Sequence, residues 1–399
     1  MNILKKAYCR TYQFIFKILL PFLPYKDPII LDKIRDIIGI LKDNNKKHPC
    51  IITDPNIHKL GLINFLEAEL KNNNINYVIF DKVVANPTTD NVEDAVAIYQ
   101  NNNCDCLIAF GGGSPMDCAK GVGARLARPK KRLSKLRGVL KVRKKIPLLI
   151  AIPTTAGSGS ETTIAAVLVD SQTRFKYAIN DFPLIPKYAV LDEEVTKSLP
   201  SNIVSSTGMD ALTHAIEAYI GRSGNKETNS NALEAIKLVF NNLEKAYYEP
   251  TADVRKNMLL ASHLAGKAFT KAYVGYVHAL SHALSGKYNV PHGLANAVIL
   301  PIVLKEYGKA IYKKLYQIAI YCDLVDNDCP YNKAAEIVIN KIEKLNEIFN
   351  HPKVLEVRSE DLYELSHHAD KEANPLYPVP VLWNRKELEK MYKKIGNLK

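Results

Sequence analysis

Two spacings in the second half of this chain place metal-ligating side chains on shared faces. Asp210 and His214 are four residues apart, as are His278 and His282. At 3.6 residues per turn, each pair lies on one side of a helix. His292 follows, between Pro291 and Gly293. One carboxylate with several neutral imidazoles suits a borderline divalent cation such as Fe(II) or Zn(II). A single Asp/His pair at this spacing also serves as an ordinary surface hydrogen bond, and a lone His on an apolar face as a core residue. Here several sit among small and apolar neighbours, which favours a metal site. His48, His58, His263, His351, His367 and His368 lack that setting and read as structural or surface residues.

The first half carries a different chemistry. An apolar run over 106–110 enters Gly111-Gly112-Gly113-Ser114-Pro115-Met116-Asp117. Glycines admit close approach of a phosphate, which helix N-terminal N–H groups then receive. No Gly-Lys-Ser/Thr follows, so this is not a Walker A loop, and Met116 takes the last glycine position of G-x-G-x-x-G. A tight strand-to-helix turn is the plainer reading. A second polar loop, 153–161, holds Thr154, Thr155 and Ser158 and suits a nucleotide's sugar and phosphates; it also suits a helix cap. Asp54 ends an earlier apolar run. An acid there accepts from an adenosine ribose and repels a 2′-phosphate, favouring NAD over NADP, or else caps a helix.

These residues need elements to hold them. Apolar runs at 50–53, 77–80, 106–110, 146–152, 167–169 and 188–191 alternate with helical spacing at 60–70 and 92–99, which predicts a buried parallel sheet. Beyond about residue 199, helical spacing dominates at 204–220, 231–247, 254–272 and 334–349. The expected organisation is an α/β domain over 1–198 and an all-helical domain over 199–399.

Composition sets outer bounds. With 399 residues, 47% hydrophobic and 24% charged, the chain is globular, neither disordered nor fibrous. Its net charge is +13, but 125–145 holds eleven cations and no acid, so the rest carries only +2. A polyanion-binding role would rest on that one segment, which lacks the interleaved aromatics of a single-strand binder. Seven cysteines without a C-x-x-C pair make a poor disulfide or zinc framework and fit a reducing cytoplasm. The apolar stretch 14–23 is interrupted by Lys17 and is too short to span a bilayer. It reads as an amphipathic segment packed on the body in preference to a membrane or export role, the alternative that its loose likeness to a signal peptide leaves open.

Taken in order, GGGSPMDCAKGVGAR at 111–125, PTTAGSGSE at 153–161, GMDALTHAIEAYI at 208–220 and VGYVHALSHALSGKYNVPHGLANAVILP at 274–301 resemble the iron-containing (group III) alcohol dehydrogenase family. The resemblance implies a dehydroquinate synthase-like fold: an N-terminal dinucleotide-binding α/β domain and an all-α metal-binding domain, with the active site in the cleft between them. It implies Asp210, His214, His278 and His292 as ligands of Fe(II), or of Zn(II). His282 matches a non-ligand histidine linked to proton relay. Gly112, Gly113, Ser114 and Asp117 match the pyrophosphate loop. Asn86, Thr154, Thr155, Ser158, Thr163 and Lys176 match other cofactor positions, and Asp54 the acid of NAD-selective members. Cys106 and Cys118 flank the glycine loop, which suggests a cofactor site sensitive to thiol reagents. The expected activity is reversible hydride transfer between a primary alcohol and its aldehyde with NAD(H), by a cytoplasmic homo-oligomer with small-molecule substrates, no nucleic-acid partner and no membrane span. The rivals are a glycerol- or polyol-type dehydrogenase or lyase on the same fold, and a polyanion binder using 125–145.

Overall fold

The structure is a computed structural model and describes residues 1–173 and 175–398. Contacts divide the chain into two compact units, Pro24–Ser198 and Met1–Leu23 together with Leu199–Lys399.

The first unit is built on strands β1 Ile29–Leu31, β2 Pro49–Ile52, β3 Val78–Phe80, β4 Cys106–Gly111, β5 Gly138–Val139, β6 Leu148–Pro153, β7 Ala165–Val169, β8 Lys176–Asn180 and β9 Tyr188–Val190. Its six-stranded sheet has the order β1-β9-β6-β4-β2-β3, with every pairing parallel. Strands β2, β4 and nearly all of β6 are buried along their length, which is why they read as unbroken apolar runs. Two apolar layers cover the faces, one around Leu107, Ala109 and Val122 and the other around Ile108, Ile150 and Leu66. After β3 the chain returns to pair β4 on the other side of β2 and then continues away from it. Ligands of open α/β sheets bind at such a reversal, beyond the carboxyl ends of the strands.

The run at 167–169 departs from expectation. It belongs to β7, which pairs antiparallel with β8 in a separate three-stranded sheet completed by β5. Strand β7 alternates buried and half-buried residues, the pattern of a sheet with one face open, whereas the parallel strands are buried throughout. Segment 125–145 runs from the last turn of a helix into β5, with Leu133, Leu136 and Val142 buried beneath exposed cations. Its sequence therefore pins an ordered surface excursion.

The helices of this unit are α2 Asp36–Asp43, α3 Pro55–Lys59, α4 Asn64–Asn72, α5 Thr89–Asn101 and α6 Gly113–Ala127, numbered after α1 Ile3–Leu19, which lies in the other unit. The remainder of that other unit is α7 Ser201–Ile220, α8 Lys226–Tyr248, α9 Ala252–Ala272, α10 Tyr276–Tyr288, α11 His292–Tyr307, α12 Tyr312–Tyr321, α13 Tyr331–Ile348, α14 Leu362–Ala373 and α15 Arg385–Ile395. The α/β domain expected over 1–198 is thus corrected at its start: residues 1–23 belong with the helical unit. Polar side chains hold them there. Arg10 donates to the carbonyls of Val379 and Pro380 at 2.7 and 2.9 Å, and Gln13 to those of Pro375 and Tyr377 at 3.1 and 2.7 Å. Sequence periodicity does not reveal such long-range bonds. Among the described residues no helix is long and apolar enough to cross a membrane.

Candidate metal centre and nucleotide loops

Helix α7 is buried on nearly every side from Gly208 to Ile220. A carboxylate and an imidazole in such a helix must be satisfied by specific partners. Asp210 and His214 face α10 and α11. Gly293, in the first turn of α11, permits the close approach: a Cβ there would lie 2.3 Å from the Ser206 carbonyl oxygen of α7. His292, beside it, thereby reaches Asp210, its Nε2 lying 3.6 Å from Oδ1. His278 Nε2 and His214 Nδ1 each lie 3.9 Å from the same oxygen. Ligand atoms of Asp210, His214 and His278 fall within 4.8 Å of one another, and all three residues are buried. His214 is sandwiched between the rings of Phe269 and His278 at 4.2 and 4.3 Å.

The spacing argument missed Asn296, one turn after His292. Its Nδ2 lies 2.7 Å from Asp210 Oδ1, 3.2 Å from His278 Nε2 and 3.1 Å from His292 Nε2. Three acceptor atoms therefore converge on one point that calls for a positively polarised partner. A carboxylate and imidazole nitrogens are also the donor set a divalent iron or zinc prefers. Burial and the neighbouring rings of His214, His292 and His282 hold His278 well below the usual histidine range, so it is a neutral imidazole, as a ligand must be.

Two further residues orient these rings. Glu217, three residues beyond His214 on the same face of α7, meets His278 Nδ1 at 2.6 Å and accepts backbone N–H from Gly275 and Val277 at 2.9 and 2.8 Å. Burial pushes its carboxyl up to about 8, against the pull of these donors. Ser281 Oγ lies 3.1 Å from His292 Nδ1. Both contacts turn Nε2 toward Asp210, as outer-shell partners of metal-bound histidines commonly do. Glu217→Gln replaces one acceptor oxygen with an N–H₂ facing donors. Metal retention against a chelator should fall about 10- to 100-fold; unchanged retention would refute the orienting role.

His282 stands apart from this set. Its Nδ1 bonds Glu372 Oε1 at 2.6 Å, and Tyr377 donates to the same oxygen at 2.8 Å. Its ring stacks on His292 at 4.9 Å. His282 and His292 are each about one-third exposed, whereas Asp210, His214 and His278 are buried.

In the α/β unit, β4 and β6 are neighbours in register, Gly111 opposite Pro153, so the two polar loops leave adjacent carboxyl ends. Gly111 has φ 152°, and a Cβ there would lie 2.5 Å from the Pro115 ring. Gly112 and Gly113 face Thr155 and Ser158, whose hydroxyl oxygens would lie 3.2 and 3.4 Å from added Cβ atoms. Helix α6 begins at Gly113 without a side-chain cap, leaving first-turn N–H groups for an anion. Ser114 lies in that turn, and Thr154 N donates to Gly111 O at 3.1 Å. Asp54 ends β2, on the other side of β4, and accepts from Asn56 and Ile57 N–H as the cap of α3. Asn86, at φ 56°, accepts from Lys176 Nζ at 2.7 Å.

Asp117 and Thr163 turn to an unforeseen partner, Lys120. This fully buried lysine contacts Ser160 O, Thr163 O and Ala165 O at 2.6, 3.0 and 2.9 Å, and the Thr163 hydroxyl at 2.8 Å. Ser160 Oγ in turn donates to Asp117 at 3.2 Å. Burial holds the Lys120 ammonium down to about 8 and pushes the Asp117 carboxyl up to about 6. The expected thiol sensitivity does not follow: Cys106 and Cys118 are fully buried, and burial raises both thiols above their ordinary range.

Known proteins match along most of this arrangement. Residues 31–193 match the family model described as iron-containing alcohol dehydrogenase, and residues 204–396 the C-terminal model of the Fe-containing alcohol dehydrogenase family. The chain is 37% identical to alcohol dehydrogenase 4 of Schizosaccharomyces pombe over 85% of its own length and 81% of the relative's. It is 32% identical to the NAD-dependent methanol dehydrogenase of Bacillus methanolicus, over 87% and 92%. The crystal structure of a 1,3-propanediol oxidoreductase superposes with a TM-score of 0.89 at 32% identity, covering 93% of this chain and 99% of that one. Two units that carry, respectively, a dinucleotide-type loop pair and a histidine-carboxylate cluster, each matched over most of its length by one family, place this chain in the iron-containing alcohol dehydrogenase family of oxidoreductases.

Proposed function

We propose that this protein interconverts a primary alcohol and its aldehyde with NAD(H), using Fe(II) held by Asp210, His214, His278 and His292. The buried cluster of Asp210, His214 and His278, whose ligand atoms lie within 4.8 Å of one another with His292 Nε2 3.6 Å from the same carboxylate, carries this reading. A divalent ion held by these side chains supplies Lewis acidity to the substrate oxygen, and NAD(H) exchanges the hydride. Iron is preferred over zinc on the family's description alone.

The chain's own residues do the rest. Glu217 and Ser281 fix the rings of His278 and His292. With Nδ1 donating to Glu372, His282 keeps its Nε2 lone pair for the alcohol's proton, and Glu372 steadies the imidazolium that forms. Gly112, Gly113, Ser114, Thr154, Thr155 and Ser158 cradle the dinucleotide phosphates, and Asn86 and Lys176 line the same cofactor site. Asp117 and Thr163 act there through Lys120. Asp54 meets the adenosine ribose and disfavours NADP(H). Its seven free cysteines suit a reducing cytoplasm.

His282→Ala is expected to lower turnover on the order of 100-fold with metal content unchanged; loss of stoichiometric metal would make His282 a ligand instead. Metal analysis of anaerobically purified protein, joined to NADH oxidation with butanal, lactaldehyde and dihydroxyacetone, tests the whole proposal. Turnover of dihydroxyacetone alone would move the assignment to a polyol dehydrogenase, and metal-free protein with full activity would overturn it.

A further inference from the structure

Helix α1 is mounted the wrong way round for a surface helix. Such a helix normally turns its apolar stripe inward. Here the inward side carries Cys9, fully buried, Arg10 and Gln13, bonded to backbone carbonyls at 375–380, and Phe16, set edge-on against Tyr273 at 5.2 Å. At 100° per residue, Leu4, Phe14, Ile15, Ile18 and Leu19 fall on the other side, with Ile3 at its margin in the first turn. Each is at least half exposed, and Ile3 and Leu4 are 84% and 81% exposed. Phe22, just past the helix, is 81% exposed as well. A contiguous apolar face of this kind marks an interaction surface. The helix also lies outside 31–193 and 204–396, the residues the family models match.

Charge narrows the occupant. Residues 1–26 carry Lys5, Lys6, Arg10, Lys17 and Lys26 and no acid. Lys6 is exposed, Lys5, though paired with Asp370 at 3.1 Å, remains 45% exposed, and Lys17 spends one donor on the Arg222 carbonyl at 3.0 Å. A second copy docked on the same face would set one cationic helix against another. A nucleic acid would leave the aliphatic face uncovered. An anionic lipid surface satisfies both halves: acyl chains receive the apolar side, and headgroup phosphates receive ammonium groups whose aliphatic stems reach around the helix edge.

We infer that α1 docks this protein peripherally on anionic membranes, lying in the headgroup plane without crossing the bilayer. The inference does not depend on the reaction proposed above.

The full-length, metal-loaded protein is to be sedimented with vesicles of phosphatidylcholine mixed with phosphatidylglycerol, and with phosphatidylcholine alone. Binding is expected on the mixed vesicles and to weaken with salt. The double variant L4E/I15E should bind at least about tenfold more weakly. K6E should weaken the preference for the anionic vesicles. Aldehyde reduction without vesicles should be unchanged in both, which also reports that they fold. Equal binding by wild type and L4E/I15E would assign the attraction to another cationic segment, such as 125–145, and overturn the inference. So would absence of binding, or a halving of solution mass in L4E/I15E without vesicle binding by the wild type, which would assign the face to a second copy of this chain.

Discussion

Replacing His278 with Ala should strip the metal and the activity together. His278 supplies one of the three acceptors that converge in the helical unit, and it is the most deeply buried of the four proposed ligands. Its removal leaves Asp210 facing a hole and Glu217 holding only the backbone N–H groups of Gly275 and Val277. Without the Lewis acid, several kcal/mol of stabilisation of developing charge on the substrate oxygen disappear, so kcat/KM should fall by about 1,000-fold or more. Metal content by mass spectrometry and NADH-linked turnover on the same preparation check this. Stoichiometric metal with near-normal turnover would sink the ligand assignment. Retained metal with lost turnover would instead move His278 from ligand to catalytic group.

Lys120→Met should damage the α/β unit as severely, by a different route. The ammonium faces Asp117 and Glu161 and bonds carbonyls of Ser160, Thr163 and Ala165. Taking one partner out of a buried ionic network costs about 3–5 kcal/mol, because the remaining charges and carbonyls stay desolvated. A clear drop in thermal stability is expected, with weaker NADH binding, since 153–165 loses its internal tie. The pH dependence has a definite sign. The folded Lys120 sits at about 8, below its ordinary 10.5, so in that interval the unfolded chain holds more protons than the folded one. The stability this residue contributes therefore rises with pH across that window. The gap between wild type and variant should widen from pH 8 upward and stay flat below it. Unfolding curves at several pH values for both proteins decide the matter; superimposable curves would remove Lys120 from the loop's support.

Much of this was legible in the residues. The i,i+4 pairs Asp210/His214 and His278/His282 did lie on single helix faces, because helical geometry fixes that whatever the surroundings. The unbroken apolar runs of β2, β4 and β6 became the buried parallel strands that aim the glycine and threonine loops. What stayed hidden was partnership across distance. Glu372 bonds a histidine ninety residues earlier in the chain, and no local pattern encodes that. Asn296 and Glu217 were within reach: each sits at helical spacing from a candidate ligand, in an otherwise apolar helix. Lys120, a cation flanked by Ala119 and Gly121, broke the amphipathic rule in the same visible way. The inverted mounting of α1 was invisible, since periodicity reports that a helix has two sides and not which one meets the protein.

One stretch of chain, 370–380, serves two masters. Its start delivers Glu372 and Tyr377 to His282, while the carbonyls of Pro375, Tyr377, Val379 and Pro380 receive Gln13 and Arg10. The amino-terminal helix is consequently a brace for the segment that holds Glu372 against His282, the residue proposed above to take the alcohol's proton. Trimming it to improve expression would unbrace Glu372, and a shortened enzyme should turn over more slowly even with a full complement of metal.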